Sequence, residues 1–293
     1  MKFILDFVKG IFVGIANIIP GVSGGTMAVS MGVYDKIITS LNNLIKKFKK
    51  SFITLFPLML GMVVGIAAFS FIIPYCLNNY SFQTCMCFTG LIIGGIPEIV
   101  MYAGNALKEN NKKLSPAHII AFVLLMAVAI WMALANPSGA GAKSIDINFA
   151  MILRLFLYGI IAAATMVIPG VSGSLVLMLL GYYSAIMGTI SSFILALKAF
   201  DFSALLNSVL ILLPFGIGCV LGILLISKLI TWLLNKAPSI TYCAILGLIT
   251  ASPFAILYKM KNPSYTPLSI IIGILLLIGG AAFTYFFSKK KSA

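Results

Sequence analysis

Asn17-Ile18-Ile19-Pro20-Gly21-Val22-Ser23-Gly24-Gly25-Thr26 and Met166-Val167-Ile168-Pro169-Gly170-Val171-Ser172-Gly173-Ser174-Leu175 share the run Ile-Pro-Gly-Val-Ser-Gly, 149 residues apart. Each copy lies near the middle of a long apolar stretch, at 3–34 and 150–188. Proline stops an incoming helix, because it lacks a donor and crowds the preceding turn. Glycine then permits a sharp reversal, and the serine is an N-cap candidate for the outgoing arm. The arms are shorter than the roughly 20 apolar residues that cross a bilayer. Each stretch therefore predicts a re-entrant helical hairpin that enters and leaves on one side. Broken backbone is tolerated at membrane depth only where protein buries it or a wet cavity lines it.

The rest of the chain fits that setting. Of 293 residues, 61% are hydrophobic and 9% are charged, against about 25% charged in a soluble domain. Only six acids are present: Asp6, Asp35, Glu98, Glu109, Asp146 and Asp201. Six further apolar segments read as full spans, at 52–77, 82–107, 115–135, 203–227, 238–258 and 266–287. They are continuous rather than alternating, which favours helices over a barrel. The expected fold is an all-α polytopic membrane protein.

The repeat extends well beyond the short run. Gly10/Gly159, Gly32/Gly181 and Tyr34/Tyr183 keep the offset of 149, and Pro57/Pro214, Gly61/Gly218, Gly65/Gly222, Asn78/Asn235 and Gly90/Gly247 match at 157. Two repeats are expected, 1–135 and 136–293, each with one hairpin and three spans. Three is odd, so the second must insert upside down, an arrangement typical of secondary transporters. With the N-terminus inside, fifteen lysines face inward, and Lys143, Arg154, Lys198, Lys259 and Lys261 face outward. That bias agrees with the positive-inside rule and places both termini in the cytoplasm.

A helix that begins deep in the membrane presents free N–H groups and a positive dipole end, a natural anion site. Inversion would bring two such ends together. The candidate substrate residues are thus Pro20, Gly21, Ser23, Gly24, Gly25 and Thr26 from the first loop, and Gly170, Ser172, Gly173 and Ser174 from the second. Glycines that merely let helices approach are the competing reading, and the duplication favours the anion site. Arg154 is the only arginine; it could clamp a phosphate with two parallel bonds or anchor at the interface. Glu98 could carry protons, pair with a lysine or, most simply, face the inner interface. Asp35 reads as a solvated helix end beside Lys36. The stretch Lys36 to Lys50 reads as an amphipathic segment on the inner surface.

Other chemistries find little support. The net charge of +14 comes from lysines between apolar segments, not from a basic face with interleaved aromatics, so nucleic acid is not an expected partner. The first twenty residues lack a cleavage pattern. The five cysteines read as soft hydrophobes, and Cys85 and Cys87 are too close for a zinc pair. His118, the single histidine, supports no metal site or triad. No cofactor is expected, and an enzyme such as a lipid phosphatase lacks an acid pair or an activated nucleophile.

Gly10-Ile11-Phe12-Val13-Gly14-Ile15-Ala16-Asn17 through Thr26 resembles the signature of the bacterial polyprenyl-phosphate transporter family (PopT), and the resemblance covers nearly the whole chain. It implies a flippase of the cytoplasmic membrane that returns undecaprenyl phosphate from the outer to the inner leaflet for cell-wall synthesis. The partners implied are the lipid phosphate and surrounding membrane lipids, with a homo-oligomer left open. Ser174 and Leu175 depart from Gly25 and Thr26 of the first copy, so the two loops need not be equivalent. A transporter or channel for a small soluble anion remains the alternative.

Overall fold

The computed structural model describes residues 2–17, 19, 22–109, 113–135, 145, 148–260, 263 and 265–289. Among them the chain forms fourteen α-helices and no strand. The first hairpin contributes α1 (Lys2–Ala16), α2 (Gly24–Ser30) and α3 (Tyr34–Asn42). There follow α4 (Phe48–Phe69), α5 (Ile72–Asn79), α6 (Ser81–Ile93), α7 (Ile96–Glu109) and α8 (Pro116–Leu134). The second hairpin region holds α9 (Phe149–Val167), α10 (Gly173–Leu180) and α11 (Tyr183–Ala199). The chain ends with α12 (Phe202–Lys236), α13 (Pro238–Tyr258) and α14 (Pro267–Lys289).

Local chemistry sets many boundaries. Pro116, Pro238 and Pro267 open α8, α13 and α14, where a missing N–H costs nothing. Asn148 Oδ1 accepts the Met151 N–H at 2.8 Å and starts α9, and Asp201 Oδ1 accepts those of Ser203 and Ala204 and starts α12. Such side-chain caps satisfy donors that a helix leaves open. Gly181, at φ 83°, ends α10 and bends the chain by 105° into α11.

Among the described residues, seven helical segments are long and apolar enough to cross a membrane: Phe48–Phe69, Ser81–Glu109, Pro116–Leu134, Phe149–Val167, Phe202–Lys236, Pro238–Tyr258 and Pro267–Ser288. The chain is a polytopic membrane protein. Six of the seven correspond to the expected spans, with shifted ends: the first stops at Phe69, and 72–79 forms the separate α5. The seventh, α9, corrects the expectation of short arms in the second hairpin. Its 19 residues cover about 28 Å, close to a hydrocarbon core of about 30 Å. In the first hairpin α1 has 15 residues, about 22 Å, and stays short. The amphipathic segment 36–50 is shared between two helices: α3 ends at Asn42 with Ile38 buried, and Lys49 and Lys50 belong to α4.

The span Ser81–Glu109 is broken at Gly94–Gly95. Pro97 cannot donate to the turn before it, and the Ser30 hydroxyl donates to the Ile92 carbonyl there at 3.4 Å. A side chain at Gly95 would lie 2.3 Å from the Ser30 Cα. The end of α2 therefore packs directly into this break.

The helices form two compact units. One comprises Met1–Leu134, Ile168–Val171 and Lys228–Ala293; the other comprises Ala135–Val167 and Ser172–Ser227. In the first, α1 crosses α4 so closely that side chains at Gly10 and Gly61 would strike the carbonyls of Leu58 and Phe7. In the second, side chains at Gly159 and Gly218 would strike those of Phe215 and Phe156. These are the same contacts displaced by 149 and 157 residues. Within the first unit, Gly90 meets the Leu277 carbonyl on α14, and its sequence counterpart Gly247 meets that of Phe122 on α8. Lipid supplies no hydrophobic drive between helices, so this close small-residue packing is what holds them. The core of the second unit is Leu155, Ala162, Leu177, Tyr182 and Ile186, with α10 doubling back beside α9.

Candidate substrate site

The first loop follows α1. Asn17 Nδ2 donates to the Val13 carbonyl at 3.0 Å, and Gly24 sits against the Asn17 amide with no room for a side chain. Ser23 is extended (φ −100°, ψ 136°) and accepts the Gly25 N–H at 3.2 Å, capping α2. Ser172 has the same geometry (φ −107°, ψ 115°) and accepts the Leu175 N–H at 3.5 Å, capping α10. Both serines are the N-caps that the motif predicts. Pro20 and Gly21 lie outside the described residues.

The two loops meet at Thr26. Its side chain is fully buried, its Oγ1 accepts the Gly170 N–H at 2.7 Å, and it lies 3.3 Å from the Ser252 Oγ of α13. Gly170 adopts φ +76°, and a side chain there would press to 2.7 Å from the Leu248 carbonyl, so the position requires glycine. Thr26 thus bridges the first loop to the second. Leu175, at the equivalent place in the second copy, has no hydroxyl to reciprocate. Gly25 is half-buried, Gly24 and Gly173 are buried, and Ser174 is exposed with its hydroxyl 2.9 Å from that of Ser172.

Arg154 does not join this cluster. It is exposed on the early turns of α9, about 20 Å along the axis from the end of that helix. It makes no ion pair among the described residues.

Glu98 does not face the interface, as the simplest sequence reading had it. It is buried at the start of α7, where its carboxylate accepts the Tyr102 hydroxyl at 2.6 Å and the Ser288 hydroxyl of α14. Gly32, at φ +64°, lies against the same carboxylate. Lys9 corrects another expectation. It is one of the fifteen lysines that the positive-inside bias assigns to the inner surface, yet it lies within α1, is 1% exposed, and holds its Nζ 5.6 Å from the Phe287 ring. Phe287 directly precedes the serine that binds Glu98. A lysine in the middle of an apolar run was the available signal, since charges inside membrane segments are costly and tend to be functional. Asp35 is half-buried rather than solvated and accepts the Tyr242 hydroxyl at 3.4 Å, while Lys36 pairs with Asp6 instead. His118 is buried, not interfacial: Nε2 lies 3.0 Å from the Ser239 hydroxyl and Nδ1 2.8 Å from that of Ser115, tying α8 to α13.

Broken apolar helices, capped helix starts in the loops and buried charges define a polytopic membrane protein with a polar interior of the kind transporters carry. The family model described as undecaprenyl phosphate translocase-like matches residues 13–270, and the chain belongs to that family. A protein of Staphylococcus aureus named polyprenyl-phosphate transporter is 30% identical over 256 residues, covering 86% of this chain and 85% of that one. A Vibrio cholerae protein of the same name is 27% identical over 266 residues, covering 85% and 76% respectively. No solved structure matches the chain.

Proposed function

We propose that this chain transports polyprenyl phosphate, undecaprenyl phosphate in particular, from the outer to the inner leaflet of the bacterial cytoplasmic membrane. In this reading both termini are cytoplasmic, and residues 1–135 and 136–293 are inverted repeats. The phosphate is taken by the N–H groups that open the helices after the two Pro-Gly-Val-Ser-Gly loops, and the isoprenoid tail stays among the lipids. The observation that carries this is the bond from Gly170 to Thr26, which joins the second loop to the first turn of α2. The duplicated glycine contacts support the repeat, and the names of the two relatives support the substrate.

The first N–H groups of any helix lack an intrahelical acceptor, and their dipole end attracts negative charge. A phosphate monoester, acceptor-only when doubly ionised, suits such a place. Arg154, exposed and without an ion-pair partner among the described residues, would receive the headgroup at the membrane surface before it reaches the loops. Glu98 would couple transport to protons: it is a buried acid held by two hydroxyl donors, on the helix that starts at the break filled by α2.

The test replaces Ser23 and Ser172 together by leucine and follows transfer of a lipid phosphate across proteoliposome membranes. Loss of transfer in a folded, inserted variant is expected. Unchanged transfer would remove the loops from the substrate path. Inorganic phosphate that competes as well as the lipid would favour the soluble-anion alternative.

A further inference from the structure

Between α3 and the first turns of α4 lies a pocket of about 400 Å³ whose lining residues are all polar, in a chain that is 61% hydrophobic. Three of them are lysines, Lys36, Lys47 and Lys50, against a single acid, Asp35. Lys36 is engaged by Asp6, and Asp35 accepts from Tyr242. Lys47 and Lys50 form no ion pair among the described residues. These two exposed lysines thus leave uncompensated positive charge at this open cleft.

The hydroxyls in the wall agree with the charge. Ser40 and Ser51 line the pocket and are only 8% and 4% exposed. Neither hydroxyl has a hydrogen-bond partner among the described residues, whereas that of Thr54, in the same wall, donates to the Lys50 carbonyl. Both hydroxyls line the cleft without being sealed from solvent, so they are open to donate to an occupant that accepts hydrogen bonds. Lys47 caps α4 without a side-chain bond, so the first N–H groups of a 22-residue helix also remain open there.

Apart from Asp35, this wall is built of side chains that can donate. The complementary group is an anion with several acceptor oxygens, and lysine binds phosphate as a point charge. The pocket lies at the end of a candidate membrane span, Phe48–Phe69, which puts it at a membrane surface. We propose that this pocket is a phosphate-binding site, occupied by the headgroup of a lipid phosphate or by free phosphate. If the transport reading is correct, on which this role rests, the pocket is the station that holds the carried headgroup on the lysine-rich side.

The experiment measures binding of farnesyl phosphate and, separately, inorganic phosphate to the chain in phosphatidylcholine nanodiscs. It uses the Ser23→Leu/Ser172→Leu background, so that the loops do not contribute. Lys47→Gln/Lys50→Gln is expected to weaken binding at least tenfold. Lys46→Gln/Lys49→Gln, which alters neighbours outside the pocket, is expected to leave it within twofold. The charge-neutral pair Ser40→Ala/Ser51→Ala is expected to weaken it about threefold and serves if the lysine variant fails to fold. Tighter binding of farnesyl phosphate than of inorganic phosphate makes the occupant a lipid headgroup; equal binding with mutual displacement makes it free phosphate. Equal losses from both lysine pairs, or no loss from the pocket lysines, overturns the site. Phosphate binding here, together with no lipid transfer by the unsubstituted chain in proteoliposomes, leaves the site standing and removes the transport reading alone.

Discussion

Replacing Thr26 by valine removes one fully buried hydroxyl and leaves nearly the same volume. The Gly170 N–H then loses an acceptor at 2.7 Å, a short and therefore well-formed bond. The Ser252 hydroxyl loses a weaker contact at 3.3 Å but keeps the Leu248 carbonyl at 3.4 Å, so its share is small. A buried donor left unpaired costs about 1–3 kcal/mol, whereas polar contacts between membrane helices average about 0.6 kcal/mol. Thr26 is fully enclosed by protein, which favours the larger figure; about 1–2 kcal/mol is expected. At about 2–4 °C per kcal/mol, the melting temperature in detergent should fall by roughly 2–8 °C. The second loop loses its tether as well, so transfer of lipid phosphate in proteoliposomes should fall severalfold. Thr26→Ser keeps the hydroxyl and should restore most of both. A valine variant that melts within about one degree of the parent and transfers lipid equally well would refute the idea that this bond holds the two loops together.

Two other variants probe the interior. Glu98→Gln keeps an acceptor for Tyr102 and leaves Ser288 able to turn its hydroxyl toward the new amide, so the fold should survive within about 1 kcal/mol. Transfer should then lose its dependence on an imposed pH gradient, read by a lipid-transfer assay at several gradients; a retained dependence would exclude Glu98 as the proton carrier. Gly218→Leu places a side chain where a Cβ alone would come within 2.1 Å of the Phe156 carbonyl. Separating α9 from α12 should lower the melting temperature by several degrees, at roughly 1–3 kcal/mol for forced overpacking, while leucine at Gly216, which faces open space, should have little effect.

Helix content, the break at Pro169-Gly170 and the two serine caps were legible in the sequence because each arises within a few residues of chain. Proline lacks a donor wherever it stands, and a serine that begins a helix meets the N–H two or three positions on. The spacing of Gly61, Gly65, Gly218 and Gly222 was equally plain as a packing signal, though the sequence did not name their partners. The family resemblance rested on the same local run and on its duplication. Arm lengths were less secure: Asn148 starts α9 early enough for it to count as a span, and that depends on a single cap.

What only the tertiary structure decided concerns residues far apart in the chain. Ser288 reaches Glu98 across 190 positions and Gly170 reaches Thr26 across 144, and no local pattern encodes either. Burial is likewise a property of the assembled helices. Lys9 looks like any membrane-edge lysine until α14 brings Phe287 beside it, and Glu98 looks interfacial until α2 and α14 close around it. Backbone geometry is local and could be read from residue order; desolvation and long-range hydrogen bonds exist only once the helices have packed.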